Sequence, residues 1–510
     1  NVSINKEKSS TTLFTMTKQK AGPINLDGTR LKEDDHPTYL GVTFDRTQTW
    51  KPHIQASEAK AKRKIALMRK LTGSSWGANQ KTLRTVYEST VRPHLEYGST
   101  AWSTATKTSL HSVDKVQNQA LRIMTGAMKS TPIAAMEEAT GIQSLEKRRQ
   151  VKILTQAEKF KCQQGHPMKT KMTGYTRKRI KRESFVSRAK KLQRDYIGDL
   201  PIQTTPPDLN NSKPWEESGL EDITICTEIP HLSGNEPLAD TVKSNIARSH
   251  CEELYPQEAW VHAYTDGSAT KAVKDGGAGV FIRHPNGETL TRSTPTGTHC
   301  SNYKAEVQAL TFAAEMVKVS ECQQVVFLTD ALSVLEALTK GKEKGLKDRL
   351  HELTKTHRVA LQWIPAHCGI PGNETADQLA KEGAKGTQTE EVMSYHEKKT
   401  IIKSIFRKAP KKDDYHLLSR EDQVIILRLR TGHNRLNAHM HRKLKLVPTP
   451  ACSCQQGEQT AEHILMMCPT LHNLRETTWP DPTPLHTKLY GAREELERTA
   501  EFIKLAKLNI

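Results

Sequence analysis

The 510-residue chain is 35% apolar and carries a formal net charge of +19, from 76 Lys and Arg against 57 Asp and Glu. Such an excess draws polyanions, nucleic acid before anionic membrane, and no apolar run approaches the roughly 20 residues that a membrane-crossing helix needs. Nine cysteines, an odd number with three of them inside residues 452–468, do not form a disulfide framework and fit a reducing compartment. The opening Asn1-Val2-Ser3-Ile4 has neither an initiator Met nor an apolar signal core. The expectation is therefore an intracellular chain, nuclear or cytoplasmic, not secreted, and read as the downstream piece of something longer.

Residues 1–45 alternate apolar and polar positions and close on Tyr39-Leu40-Gly41-Val42-Thr43-Phe44-Asp45, a strand-and-turn pattern. A basic helical pattern starts at Lys51, and helices continue to about residue 160 with breaks at Gly73, Gly77, Pro93, Gly98 and Gly126. Residues 158–194 are dense in Lys and Arg, above all at 175–182, and residues 200–245 turn acidic, polar and Pro-containing. Residues 165–255 thus read as a poorly packed linker, its basic run equally suited to gripping phosphates and to being a solvated face. From residue 259 the grain changes. Residues 260–264, 276–282 and 289–293 predict strands, with a turn at Pro285-Asn286-Gly287. A helix over 303–319, a strand over 325–328, a helix through Leu338, a strand over 359–364 and a helix over 373–384 follow. Three strands and then αβαβα make an α/β domain on a mixed five-stranded sheet.

Two acids of this domain, Asp266 and Asp330, stand where predicted strands end, the place at which functional side chains of α/β sheets gather. Glu306 lies in the first turn of a helix, and Asp377 lies in the helix after a Gly/Pro loop. Mg²⁺ takes oxygen ligands, and two such ions about 4 Å apart can activate a water and stabilise the leaving oxygen of a phosphodiester. Holding them needs convergent carboxylates, one of them bridging, and Asp266 is the bridging candidate. One such acid alone would more often just complement a helix dipole; the order Asp, Glu, Asp, Asp on strand, helix, strand, helix is far more specific.

The blocks Tyr264-Thr265-Asp266-Gly267-Ser268, Ser301-Asn302-Tyr303-Lys304-Ala305-Glu306, Leu328-Thr329-Asp330-Ala331 and Trp363-Ile364-Pro365-Ala366-His367, running on to Asp377, resemble the four blocks of the type-1 ribonuclease H family. The resemblance implies a ribonuclease H-like fold with helices on both sides of the sheet. It also implies a metal-binding quartet of Asp266, Glu306, Asp330 and Asp377 for Mg²⁺, with Mn²⁺ as the alternative. His367 would assist proton transfer and product release, a role that suits a side chain titrating near neutrality. Ser268, Asn302 and Asn373 would contact the RNA–DNA hybrid. Tyr303 departs from the asparagine common at its position, and an aromatic there could pack on a sugar instead. The implied reaction is endonucleolytic hydrolysis of the RNA strand of a hybrid, leaving 5′-phosphomonoesters.

The first 160 residues resemble the end of a non-LTR, jockey- or R1-like retrotransposon reverse transcriptase, on the 39–45 stretch, Leu71-Thr72-Gly73 with Trp76-Gly77, and Arg92-Pro93-His94-Leu95-Glu96-Tyr97-Gly98. That implies a primer-grip hairpin followed by thumb and connection. The two Asp-Asp pairs, Asp34-Asp35 and Asp413-Asp414, lack an apolar strand leading into them and read as solvated loop charges, so no polymerase activity is expected of this chain. Farther on, Cys452-x-Cys454-x8-His463-x4-Cys468 offers three sulfurs and an imidazole, the ligand set of tetrahedral Zn²⁺, against the alternative of three buried cysteines and a capping histidine. Ahead of it, residues 428–445 are rich in Arg, Lys and His and are expected to touch element RNA or DNA phosphates. The expected organisation is 1–160 reverse-transcriptase remnant, 161–257 linker, 258–388 nuclease and 389–510 basic helical tail. The alternative to a nuclease is a non-catalytic nucleic-acid-binding remnant of a retroelement; a third reading is a reverse-transcriptase subunit that works with an upstream partner supplying the palm.

Overall fold

The computed structural model describes every residue except 1–3, 18, 20–21, 175–182, 199, 203–221, 233–237, 319, 391 and 408–412. The basic run at 175–182 and most of the acidic stretch therefore lie outside the described residues. The chain divides into two units, one of Asn1–Ile153, Lys178–Ala189 and Phe406–Ile510, the other of Leu154–Arg177 and Lys190–Ile405.

The second unit is built on one mixed sheet. Its strands are β1 (Ile223–Cys226), β2 (Val261–Ala269), β3 (Gly276–Arg283), β4 (Thr289–Gly297), β5 (Gln324–Thr329) and β6 (Arg358–Trp363). Across the sheet they stand in the order β4-β3-β2-β5-β6-β1. β2, β3 and β4 form an antiparallel meander, and β5, β6 and β1 continue in parallel from β2. The run Val325-Val326-Phe327-Leu328 is apolar throughout because β5 is covered on both faces. Val325 and Phe327 join Val261, Ala263, Leu310, Leu335, Leu350 and Leu361 on one side. Val326 and Leu328 join Cys251, Tyr255, Trp260, Ala360, Ile364 and Cys368 on the other.

Helices α1 (Asp240–Leu254), α2 (Asn302–Val317), α3 (Leu332–Thr339), α4 (Lys344–Thr354), α5 (Pro371–Lys385) and α6 (Tyr395–Phe406) surround this sheet. Two expectations are corrected here. The sheet has six strands, not five, and both the sixth strand β1 and the helix α1 come from the stretch read as linker. Ala247 and Cys251 of α1 are buried against the sheet, so apolar residues spaced along a polar stretch suffice to fold it. α6 up to Ile405 belongs to this unit as well.

In the other unit, the hairpin Thr38–Tyr39 with Val42–Thr43 turns on Leu40 (φ 47°) and Gly41 (φ 75°), both left-handed, as a tight two-residue turn requires. Helices Lys51–Lys70, Lys107–Thr125 and Ile133–Thr140 enclose Ile54, Ile65, Leu83, Tyr87, Trp102 and Leu121. The described tail is part of this same unit rather than a separate domain. Arg420 donates to Ile123 O at 2.8 Å and to Gly73 O at 3.1 Å. Asp413, read as a solvated loop charge, instead takes the Arg430 guanidinium at 2.6 and 3.0 Å, and this partner holds its carboxyl below the usual range against the opposing effect of burial. Arg428 is likewise spent inside the fold, on Gly126 O and Ile510 O. Two of the cations expected on nucleic acid are thus structural.

Candidate metal centres

The register of the sheet assembles the first site. Thr265 of β2 lies opposite Thr329 of β5, so the residues that follow them stand side by side, Asp330 just past the end of β5 and Asp266 within β2, which runs on to Ala269 and pairs Asp266 with Gly279 of β3 instead of ending there as expected. Gly267 then lets α2 press onto β2, since a Cβ there would lie 2.3 Å from Glu306 N. One carboxylate oxygen each of Asp266, Glu306 and Asp330 falls within 4.8 Å of the others. Asp377 stands on α5, near enough for its carboxylate to push that of Asp266 up. α5 sits directly on the backbone of β3, because a Cβ on Gly277 or Gly279 would lie 2.1 Å from Ala380 O or 2.0 Å from Ala376 O.

Burial and mutual repulsion dominate the electrostatics. Burial, then the charges of Asp330 and Asp377, push the Asp266 carboxyl up to about 8. Burial, then the charges of Asp266 and Asp330, hold Glu306 well above the usual carboxylate range, and burial raises Asp330 although Asn373 and His367 oppose it. Oε2 of Glu306 is buried with no hydrogen-bond partner among the described residues. Crowded, desolvated oxygens with an unanswered lone pair fit hard divalent cations such as Mg²⁺.

The remaining expected residues fall in different places. His367 is exposed on the loop before α5, in left-handed backbone (φ 48°), with one ligand atom each of His367, Glu374 and Asp377 within 4.8 Å. Asn302 is exposed as the first residue of α2, and Ser268 is half-buried on β2. Asn373, expected on the substrate, is instead 2% exposed and donates through Nδ2 to Asp330 Oδ2 at 3.4 Å, so it steadies a carboxylate. Tyr303, considered for a sugar contact, packs against the core and donates its hydroxyl to Glu343 at 2.9 Å. Lys381, not singled out from sequence, ion-pairs with Asp377; its i, i+4 spacing on a helix was the available signal.

The second cluster is local in sequence. Cys452 N donates to Gly457 O at 2.8 Å, closing a tight loop, and His463 lies a few residues beyond it. The four ligand atoms of Cys452, Cys454, His463 and Cys468 lie within 4.8 Å of one another, with Cys452 Sγ to Cys468 Sγ 3.8 Å and Cys454 Sγ to His463 Nε2 3.2 Å. A tetrahedral centre with Zn–S bonds near 2.3 Å separates its sulfurs by about 3.8 Å, so the donors fit that ion. Burial raises the Cys452 thiol, whereas Cys468, despite burial, is held below the ordinary range by hydrogen bonds with Thr470 and the neighbouring thiols.

Residues 258–385 match the RNase H family model, so the chain carries an RNase H domain. A ribonuclease H of Maricaulis maris is 29% identical, over 24% of this chain and 95% of that protein. Probable RNA-directed DNA polymerases from transposon X-element and transposon BS of Drosophila melanogaster are 25% and 28% identical, over 25% and 24% of this chain. The match spans 14% of the length of each polymerase. Among solved structures, RNase H1 from Halobacterium salinarum is 23% identical, covering 25% of this chain and 98% of that one with a TM-score of 0.22. LC11-RNase H1 in complex with an RNA/DNA hybrid is 21% identical, covering 24% and 96%, also with a TM-score of 0.22. No helix among the described residues is long and apolar enough to cross a membrane.

Proposed function

We propose that this chain hydrolyses the RNA strand of RNA–DNA hybrids endonucleolytically, within a retrotransposon-derived reverse-transcriptase piece that performs no polymerisation of its own. The observation that carries the reading is the convergence of Asp266 from β2, Glu306 from α2 and Asp330 from just past the end of β5, with Asp377 near enough to act on Asp266. Asp266, Glu306, Asp330 and Asp377 would hold a pair of divalent cations, Mg²⁺ or Mn²⁺, which activate water and neutralise charge developing on the phosphate, the 5′-phosphate staying with the product. Asn373 fixes Asp330, and the exposed His367 is placed to move a proton at the edge of the cluster. Asn302 and Ser268 face the hybrid, where the 2′-hydroxyl tells RNA from DNA. Cys452, Cys454, His463 and Cys468 hold a structural Zn²⁺ that orders the tail.

The test is a gel assay of the purified chain on labelled RNA–DNA hybrid, RNA duplex and DNA duplex, with Mg²⁺ or chelator. Cleavage of hybrid RNA alone, lost with chelator, is expected. Binding without cleavage in both Mg²⁺ and Mn²⁺ would replace this reading by that of a non-catalytic binding remnant.

A further inference from the structure

The N-terminus of α2 carries both Asn302 and, one turn on, Glu306, so whatever fixes that end fixes part of the site. Its N-cap is Ser301, whose Oγ accepts the Lys304 N–H at 3.2 Å. In a complete capping box, an acidic or amide side chain three residues on would return the favour to the cap's own N–H. That position is Lys304, which has no acceptor to offer. The Ser301 N–H is instead bound from far along the chain, by Glu397 Oε1 at 3.1 Å.

Glu397 is 1% exposed and lies outside the residues that match the RNase H family model. Its other oxygen completes a box of its own. Glu397 Oε2 accepts the Ser394 N–H at 2.8 Å, while Ser394 Oγ accepts the Glu397 N–H at 3.3 Å. One carboxylate therefore serves the N-caps of two helices, α2 and α6, and sits where both helix dipoles favour negative charge. The next residue anchors α6 from the other side, since Lys398, also 1% exposed, pairs with Glu158 at 2.9 Å and donates to Leu200 O at 2.5 Å. Nearby, the Gly297 N–H binds Gln388 Oε1 at 2.9 Å and the Thr298 N–H binds Thr389 O at 3.1 Å. The segment after α5 is thus stitched to the loop that leads into α2.

We infer that Glu397 is a positioning residue for the nuclease site, supplying to α2 the capping carboxylate that its own sequence lacks and so setting Asn302 and Glu306. The inference rests on the ribonuclease H reading above. Losing a charged acceptor to a buried N–H is expected to cost about tenfold in the property it supports. In the full chain, Glu397→Ala should raise KM for hybrid and the Mg²⁺ concentration for half-maximal cleavage about tenfold each. Hybrid affinity measured in chelator should weaken in parallel. The decisive variant adds Lys304→Gln to Glu397→Ala, restoring a capping box to α2 in cis. Recovery of KM, Mg²⁺ midpoint and affinity supports the positioning role. Unchanged values in Glu397→Ala, or a loss that Lys304→Gln leaves uncorrected, assign Glu397 to the folding of α6 alone and overturn it. An inactive wild-type chain would defeat the ribonuclease H reading instead, and the hybrid affinities of the same variants would still decide the role of Glu397.

Discussion

The two candidate metal centres of this chain are assembled in opposite ways. The carboxylates come from β2, α2, the end of β5 and α5, more than a hundred residues from first to last, and meet only because a sheet register and a row of glycines bring them together. The sulfurs and imidazole come from 17 residues between Cys452 and Cys468 that wrap on themselves. A site built by a preformed core can hold carboxyl groups where their charged forms are disfavoured, as burial and neighbouring acids do for Asp266 and Glu306. A site built by a short loop draws part of its order from the bound ion, here beside the apolar core of the tail in which Ile464 and Leu465 are buried. The first centre is therefore expected to lose chemistry but not fold when its metal is removed, and the second to lose the order of its loop.

The sharpest way to break that contrast is Asp266→Asn. Cleavage of hybrid under single-turnover conditions should fall about 10³-fold, the scale of removing a principal electrostatic element, while a gel shift finds the hybrid still bound. Normal cutting would mean that the cluster is misassigned. Next in size is Asn373→Ala, which removes the donor to Asp330. An outer partner of a metal-binding group is worth about 10- to 100-fold, and the loss should appear in kcat with KM little changed.

For the Cys/His centre, Cys454→Ser should lower the zinc content measured by mass spectrometry and melt the tail, seen as loss of its amide-exchange protection. Hybrid cleavage should stay within a few-fold of wild type. A zinc-free chain with an unaltered tail would leave the four residues as a mere buried cluster.

The smallest effect is on stability. Asp266 and Glu306 have folded-state pKa values raised above their unfolded ones, so the folded chain binds more protons in between, and stability falls as pH rises from about 4 towards about 8. In chelator, the melting temperature of the nuclease unit should therefore drop by a few degrees between pH 5 and pH 8. Mg²⁺ should reverse the drop, and Asp266→Asn should flatten it.

Much of this was legible in the sequence because its carriers are locally unambiguous. Asp266 and Asp330 each come at the end of an apolar run, residues 276–282 read as a strand, and the Cys/His spacing needs no tertiary knowledge. The rest depended on partners far away. β1 is four residues in a polar stretch and becomes a strand only because β6 offers it a parallel edge. Asn373 looks like a surface polar residue until α5 buries it, and Arg428 and Arg430 look like phosphate grips until the carbonyls and the carboxylate they serve are seen. Ser301 and Glu397 form one cap across 96 positions, a relation that no local pattern contains.

The place of β1 at the margin of the sheet has a practical sequel. A fragment trimmed to the matched span, residues 258–385, would strip β1 from β6. The row of N–H and C=O groups that Val359 to Gln362 now share with Ile223 to Cys226 would then face water. Such a bare, apolar border is a template for a strand of another molecule, so the short fragment should self-associate where the longer chain stays dispersed.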